Sequence, residues 1–357
     1  MSEHIVVYGA GVIGAHIGGR LHGAGCPVTV VEPWQPQRQA LLRFGVTIHT
    51  ENGEREDEHY TPKVIAPEDL GDSGRQIDVL FMSVKSYDTM DALNQVLPFL
   101  AEDSMVVSMQ NSLNEEWIAP VIGAHRMVGG VILINGVLLE PGLVIATQSV
   151  SRASMATRDL PGVFVGEYMA PAGDNAKRVA ALLDSVWPVS TVPDLMHERW
   201  SKLVNNTMMN TVSGISGLRS AALLADAQAR HLLIAIAAEA LAVAGAEGHY
   251  FETIMGDYPI AEVYAGALGK STTVDQGLAD RSGLVSAEAT TSMLQDVLRG
   301  RKTETDFFAG LIAYKGKAHG IPTPFCEAAN IMAHKIESGV VDPAPRNIST
   351  VLRTVAR

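Results

Sequence analysis

The chain opens with Ile5-Val6-Val7-Tyr8, an uninterrupted apolar run rich in β-branched residues, the pattern of a strand buried on both faces. A helical pattern runs from the glycines that follow through Leu21, where Gly23 and Gly25 stop it. Val28-Thr29-Val30-Val31 is a second strand, ending at Glu32. Strand, helix and strand within about 30 residues make a right-handed parallel crossover unit. Further on, 45–49 and 60–65 flank a polar stretch containing Asn52-Gly53, a hairpin signal. The acids Glu54, Glu56, Asp57 and Glu58 around it read as a solvated tip. Buried strands are then expected at 79–84, 105–109 and 162–166, with two more short apolar runs between Arg126 and Val144.

After about Pro193 the period changes. Segments 197–213, 220–247, 286–299, 303–318 and 324–337 read as helices, the last opening on Pro322-Thr323-Pro324. The stretch 258–283 holds several glycines and no clear period, and reads as an irregular insertion or lid. The fold class expected is α/β followed by all-α: a dinucleotide-binding domain over 1–192 and a helical domain over 193–357. A length of 357 residues suits two such domains.

Composition narrows the function classes. A formal net charge of −12 disfavours nucleic acid as a partner, while a locally positive pocket for a small acid remains compatible with it. Two cysteines, Cys26 and Cys326, without a CxxC or a Cys/His cluster, support neither a disulfide framework nor a structural zinc. The eleven histidines form no HxxxH or HExxH pattern, so no metal is expected, and no GxSxG elbow is present. No basic segment followed by a long apolar one marks the N-terminus as a signal peptide, and no uncharged apolar run reaches the roughly 18 residues of a membrane span. Cytoplasmic residence without a membrane partner is the expectation. The apolar helices of the second half are compatible with a homodimer, which periodicity does not separate from core.

Gly9-Ala10-Gly11-Val12-Ile13-Gly14 carries the first chemistry. In GxGxxG the first glycine permits the tight turn, the second lets backbone approach a pyrophosphate, and the third allows close helix–strand packing; the phosphates then meet the helix N-terminus. Its place between a strand and a helix makes this a Rossmann fingerprint. Glu32, at the end of the second strand, is suited to the adenosine ribose hydroxyls and would repel a 2′-phosphate. Because the first basic residue after it is Arg38, NAD is favoured over NADP. The competing arrangement has Glu32 turned to solvent and Arg38 or Arg43 swung in.

In Trp200-Ser201-Lys202-Leu203-Val204-Asn205-Asn206-Thr207-Met208-Met209-Asn210, the residues Lys202, Asn206 and Asn210 lie four apart and share one helix face. Such a polar stripe in so apolar a helix is either a site wall, with an amine to protonate a developing alkoxide, or a solvated stripe or satisfied network. Spacing alone does not choose. Ser292 and Asp296 share a second face, and Arg301, Glu304 and Asp306 crowd three charges together, the usual mark of a salt-bridged helix start.

Taken in order, GAGVIG, SVKSYDT, MQNS, WSKLVNNTMMN and TSMLQDVLRGRKTETD resemble the ketopantoate reductase (2-dehydropantoate 2-reductase) family over nearly the whole chain. The resemblance implies a Rossmann domain joined to a helical domain of the 6-phosphogluconate dehydrogenase-like type, with the site in the cleft between them. It implies Lys202 as the catalytic lysine and Glu304 as the glutamate that completes the site. It assigns Asn111, Asn206, Asn210 and Ser292 to substrate, and Lys85 and Asn111 to the neighbourhood of the cofactor. Two residues depart from the pattern: Glu32 stands where the family usually has a basic residue, and Ser112 replaces the glycine of QNG. Three functions stay open: reduction of 2-dehydropantoate, NAD-linked oxidation of another small hydroxy acid in a catabolic route, and NAD binding without catalysis.

Overall fold

The computed structural model describes residues 3–51, 55–134, 136–146, 161–255 and 257–355. It divides into two compact units, Met1–Met196 and His197–Arg357.

In the first unit, strand β1 (Ile5–Tyr8) leads through the glycine turn into α1 (Val12–Gly23), then β2 (Val28–Val31) and α2 (Gln35–Phe44). β3 (Val46–Glu51) and β4 (Arg55–Tyr60) form the hairpin foreseen from Asn52-Gly53, whose tip lies outside the described residues. The parallel sheet continues with β5 (Lys63–Ile65), β6 (Ile77–Met82), β7 (Leu100–Ser108) and β8 (Met127–Ile132). Helices α3 (Thr89–Val96) and α4 (Glu115–Ile122) precede β7 and β8 respectively. After β9 (Gly136–Glu140) and β10 (Leu143–Ala146) come β11 (Val163–Glu167), α5 (Asp174–Leu183) and β12 (Val189–Thr191). The main sheet has the order β12-β11-β8-β7-β6-β1-β2-β5, parallel throughout except where β11 meets β8. Strands β4-β3-β10-β9 make a separate small sheet.

The order fixes where a ligand can sit. From β1 the chain moves to β2 on one side and later to β6 on the other, so the crevice beyond the carboxyl ends of β1 and β6 is the topological switch point. Two glycines shape it. Gly9 has φ +91°, and a Cβ there would lie 2.9 Å from the Val84 backbone nitrogen. A Cβ on Gly14 would overlap the Gly9 carbonyl oxygen.

Of the acidic run, Asp57 is exposed as expected, whereas Glu58 is engaged by its neighbours. Glu56, Asp57 and Glu58 lie within β4, and Glu54 lies outside the described residues. Glu58 turns onto α1, where it receives Arg20 at 2.9 and 2.8 Å and the Tyr60 hydroxyl at 2.7 Å. Arg20 also donates to the Val186 carbonyl at 2.6 Å, so one guanidinium ties α1 to two segments distant in sequence.

The second unit begins on α6 (Leu195–Ser216), followed by α7 (Ser220–Ala225) and α8 (Ala227–Ala246). The expected single helix over 220–247 is broken because the Asp226 carboxylate accepts from Ala229 N–H at 2.8 Å and starts α8 afresh. Helix α8 is long and apolar enough to cross a membrane by length and composition, with 61% of its apolar window buried inside the protein. Its acid, Glu239, accepts from the Phe325 and Cys326 backbone N–H groups, each at 2.8 Å. These are first-turn amides of a later helix, which places α8 as a core helix with an internal use for its charge.

The segment 258–283 is not irregular. A two-stranded hairpin, β13 (Thr253–Ile254) with β14 (Tyr258–Pro259), leads into α9 (Ile260–Ala267) and α10 (Thr273–Ser282), both packed on α8. Only Val263 in α9 and Val274 and Leu278 in α10 are buried, too few positions to print a period on the sequence. The helix expected at 286–299 is α11 (Ser292–Leu298), shortened because the Thr291 hydroxyl caps Leu294 N–H. The one expected at 303–318 splits at Phe308 into a 3₁₀ turn (Thr305–Phe307) and α12 (Ala309–His319). Helices α13 (Pro324–Glu337) and α14 (Arg346–Val355) complete the unit.

Gly14→Ala is expected to destabilise the first unit by about 1–3 kcal/mol, the usual cost of forcing atoms into a packed site. Chemical denaturation would read this as a lower midpoint; an unchanged midpoint would contradict the close approach of α1 to the turn.

Candidate active site

Four adjacent parallel strands deliver the candidate cofactor residues to one edge of the first unit. Gly9, Ala10, Gly11, Val12, Ile13 and Gly14 follow β1, Glu32 follows β2, Lys85 lies just beyond β6, and Asn111 just beyond β7. No side chain caps the first turn of α1 at Gly11, and a Cβ on Gly11 would meet nothing within 4 Å. The space beside Gly11 is thus open, which fits a pyrophosphate held by backbone N–H groups and the helix dipole. The residues present therefore fit a dinucleotide.

Glu32 is not turned to solvent. It is buried, and its carboxylate accepts from Ala10 N–H at 2.5 Å and Trp34 N–H at 2.6 Å, which locks it to the glycine turn. Burial raises its pKa, against the pull of those two amides and of Arg38. Arg38 donates to the Glu32 and Pro33 carbonyls at 2.7 and 3.2 Å. Arg43 lies over the Phe44 ring, 4.9 Å from its centroid. Gln37 bridges the Ala10 carbonyl and Gly142 N–H at 2.7 and 2.8 Å, a tie that the sequence did not suggest.

The loop after β7 is as tightly built. The Asn111 carbonyl accepts from Asn114 Nδ2 at 2.5 Å and from the Ser86 hydroxyl at 3.2 Å. Gln110 faces inward: its Nε2 donates to the Val84 carbonyl and the Thr89 hydroxyl at 3.0 and 2.7 Å. Ser112 has φ +71°, a backbone conformation in which a non-glycine residue costs about 1–2 kcal/mol. A serine held there beside Asn111 adds a hydroxymethyl group at a position where strain commonly accompanies function.

In the second unit, α6 carries Lys202, Asn206 and Asn210 on one stripe, as their spacing requires. Lys202 and Asn206 keep partial solvent contact, whereas Asn210 is buried. Desolvation, and behind it Arg199, lower the Lys202 pKa to about 7 against the opposing pull of Glu304. Asn210 does more than line a wall. Its Oδ1 accepts from the Ser292 hydroxyl at 3.0 Å and from Met293 N–H at 3.1 Å, capping α11. It thereby sets the position of Ser292, so these two candidates are one hydrogen-bonded pair.

Glu304 is 3% exposed. It stands at the start of the Thr305–Phe307 turn without making a side-chain cap bond there. Arg301 and Asp306, its neighbours in the charge cluster, are exposed. Two buried charges lie beyond the expected set: Arg199, 2% exposed, and Asp296, 5% exposed. Arg199 falls three residues before Lys202 and seven before Asn206, a helical spacing that could have pointed to it.

Keeping Lys202 near neutrality works against folding. The unfolded side chain titrates at its ordinary value near 10.5, so between pH 7 and that value the unfolded state holds more protons and stability rises with pH. Lys202→Met is therefore expected to raise the melting temperature at pH 6, with a gain that shrinks toward pH 10. A pH-independent effect, or a loss at pH 6, would contradict burial of the amine.

Comparison with known proteins identifies the family and the fold. Residues 5–155 match the family model described as ketopantoate reductase PanE/ApbA, and residues 194–337 match its C-terminal model. The chain is 24% identical over 340 residues to a 2-dehydropantoate 2-reductase of Archaeoglobus fulgidus, covering 95% of this chain and 99% of that one. It is 26% identical over 357 residues to one of Mesorhizobium japonicum, covering 93% and 97%. Among solved structures, a ketopantoate reductase of Ralstonia eutropha aligns with a TM-score of 0.73 at 24% identity, covering 94% of this chain and 99% of that one. A D-mandelate dehydrogenase with NADH and anilino(oxo)acetate aligns at 0.76 and 20% identity, with the same coverage. At these identities the structures establish the Rossmann-plus-helical fold. The two family models together span most of the sequence, and the chain belongs to the ketopantoate reductase family.

Proposed function

We propose that the chain is an NADH-linked reductase of a small 2-keto acid, with 2-dehydropantoate as the substrate its family membership favours and pantoate as the product. The observation that carries the reading is a half-buried amine, Lys202, on one face of α6 with Asn206 and Asn210, drawn toward neutrality by desolvation and Arg199 against the pull of Glu304. The cofactor, when bound, supplies a hydride from C4 of its nicotinamide. Reduction then needs a proton for the carbonyl oxygen. Negative charge grows on that oxygen as the carbinol C–H bond forms; the Lys202 ammonium stabilises it and gives up a proton from Nζ. In the oxidative direction the neutral amine accepts the proton. An acid with a pKa near the working pH serves both directions. Asn206 and the Asn210–Ser292 pair offer neutral donors and acceptors for the polar atoms of the acid, and Asn111 is assigned to the nicotinamide and substrate.

The reading predicts opposite pH limbs. The rate of reduction falls as pH rises through about 7, because protonated Lys202 is the donor; the rate of oxidation rises over the same window. Lys202→Ala is expected to lower turnover roughly 10²- to 10⁴-fold, the usual worth of a placed proton donor, with NADH affinity little changed. Turnover within a few-fold of wild type would overturn the assignment.

NADH is favoured over NADPH by Glu32. Its carboxylate is fixed at the end of β2, where ribose hydroxyls would find an acceptor and a 2′-phosphate an anion. Arg38, the nearest basic residue in sequence, is committed to backbone carbonyls. Steady-state kinetics with each cofactor is expected to give the higher kcat/KM with NADH, by about tenfold or more, equal to roughly 1.4 kcal/mol. The reverse order would reject Glu32 as discriminator. The same assay run over a panel of 2-keto acids separates 2-dehydropantoate from other acids, which Ser112 makes a real alternative through the group it adds beside Asn111.

A further inference from the structure

The residues that flank Glu304 are held by a neighbouring helix. Asn330, His334 and Glu337 lie four and three residues apart, on one face of α13. Each grips a residue within two positions of Glu304. The Glu337 carboxylate accepts from Thr303 N–H at 2.7 Å and from the Thr303 hydroxyl at 2.6 Å. The Asn330 carbonyl oxygen accepts from the Thr305 hydroxyl at 2.7 Å, and its amide donates to Asp306 at 3.3 Å. His334 stands between two carboxylates, with Nε2 2.7 Å from Asp306 and Nδ1 2.9 Å from Glu337. Thr303, Glu304 and Thr305 are all buried, whereas His334 and Asp306 reach solvent. The clamp is therefore anchored in the core and closed at the surface.

We propose that His334, together with Asn330 and Glu337, is a positioning device that holds Glu304 where its charge acts on Lys202. The inference rests on the reading of Lys202 as proton donor. An imidazole donates from both nitrogens only when protonated, so the doubly bridged form of His334 is a cation. Burial pulls the His334 pKa down, but the hydrogen bonds and charges of Asp306 and Glu337 outweigh it and the net shift is upward. The cation is thus favoured by the two acids it joins. The groups acting on it are Asp306 from the turn and Glu337 from its own helix. Those acting on Lys202 are Arg199 and Glu304.

This arrangement makes a prediction that simple structural support does not. Glu304 raises the proton affinity of Lys202, so slackening its hold should lower that affinity. In the full-length enzyme with NADH and 2-dehydropantoate, or the best acid of the panel, Glu304→Gln should move the reduction limb of the pH profile to lower pH. His334→Ala should move it the same way by about half a unit, a roughly threefold change in proton affinity. It should lower kcat at pH 7 and leave the KM for NADH within about twofold. Adding His334→Ala to Glu304→Gln should produce no further shift, because both act through one carboxylate. Asn330→Ala, which releases Thr305, should reproduce the shift should His334→Ala fold poorly. A limb unmoved by both His334→Ala and Asn330→Ala, or a His334→Ala shift that adds in full to that of Glu304→Gln, would overturn the positioning role. If Glu304→Gln itself leaves the limb in place, the Lys202–Glu304 reading fails; if it moves the limb and the α13 variants do not, the clamp alone fails.

Discussion

A lysine ammonium partly withdrawn from bulk water is the interaction on which the chemistry of this protein turns. Hydration holds an ordinary lysine protonated far above neutrality, and a group that never releases its proton is a poor donor. Burial on α6 removes part of that hydration, and the Arg199 guanidinium one turn earlier pushes in the same direction. Left there, the amine would stay neutral and lose the charge needed to stabilise an oxyanion. Glu304 supplies the opposing field. The functional value of Lys202 is a balance among three charged groups, and each must be held in place for the balance to last.

Different parts of the second unit do the holding. Asn210 spends its side-chain carbonyl on the start of α11, fixing Ser292, while α13 grips the residues around Glu304. Helix α13 is itself started by Glu239 of the core helix α8. A charge in the middle of an apolar helix, costly in isolation, thereby becomes the first link of a chain of supports that reaches the site. In the first unit the equivalent role falls to Glu32 and Gln37, which pin Ala10 and hence the glycine turn. Polar side chains that look like ligand contacts in both units are also parts of the scaffold.

What could be read from sequence follows the size of the physical signal. The unit β1-α1-β2 was evident because sterics restrict the turn to glycine at Gly9 and Gly14 and the strands are continuously apolar. The Lys202 stripe was evident because α6 is long enough to show its period. Helices α2, α3, α4, α5 and α14 leave no such signal: each has 8–10 residues and buries only a few. The same sparse burial hid α9 and α10. Glu58 looked like surface charge because its partner Arg20 is 38 residues away, a distance no local pattern spans. The environment of Glu304 was hidden for the same reason, since it is set by α13 some 30 residues on. Family motifs pointed to the residue, but not to what positions it.

The most direct measurement is a titration of the amine itself. With lysine side chains isotopically labelled, NMR would follow each ε-methylene through pH 5 to 11 in the wild-type enzyme and in Lys202→Met. One resonance with a midpoint near 7, absent from the variant, is expected. A Lys202 midpoint at the ordinary lysine value, near 10.4, would contradict a proton donor tuned by burial.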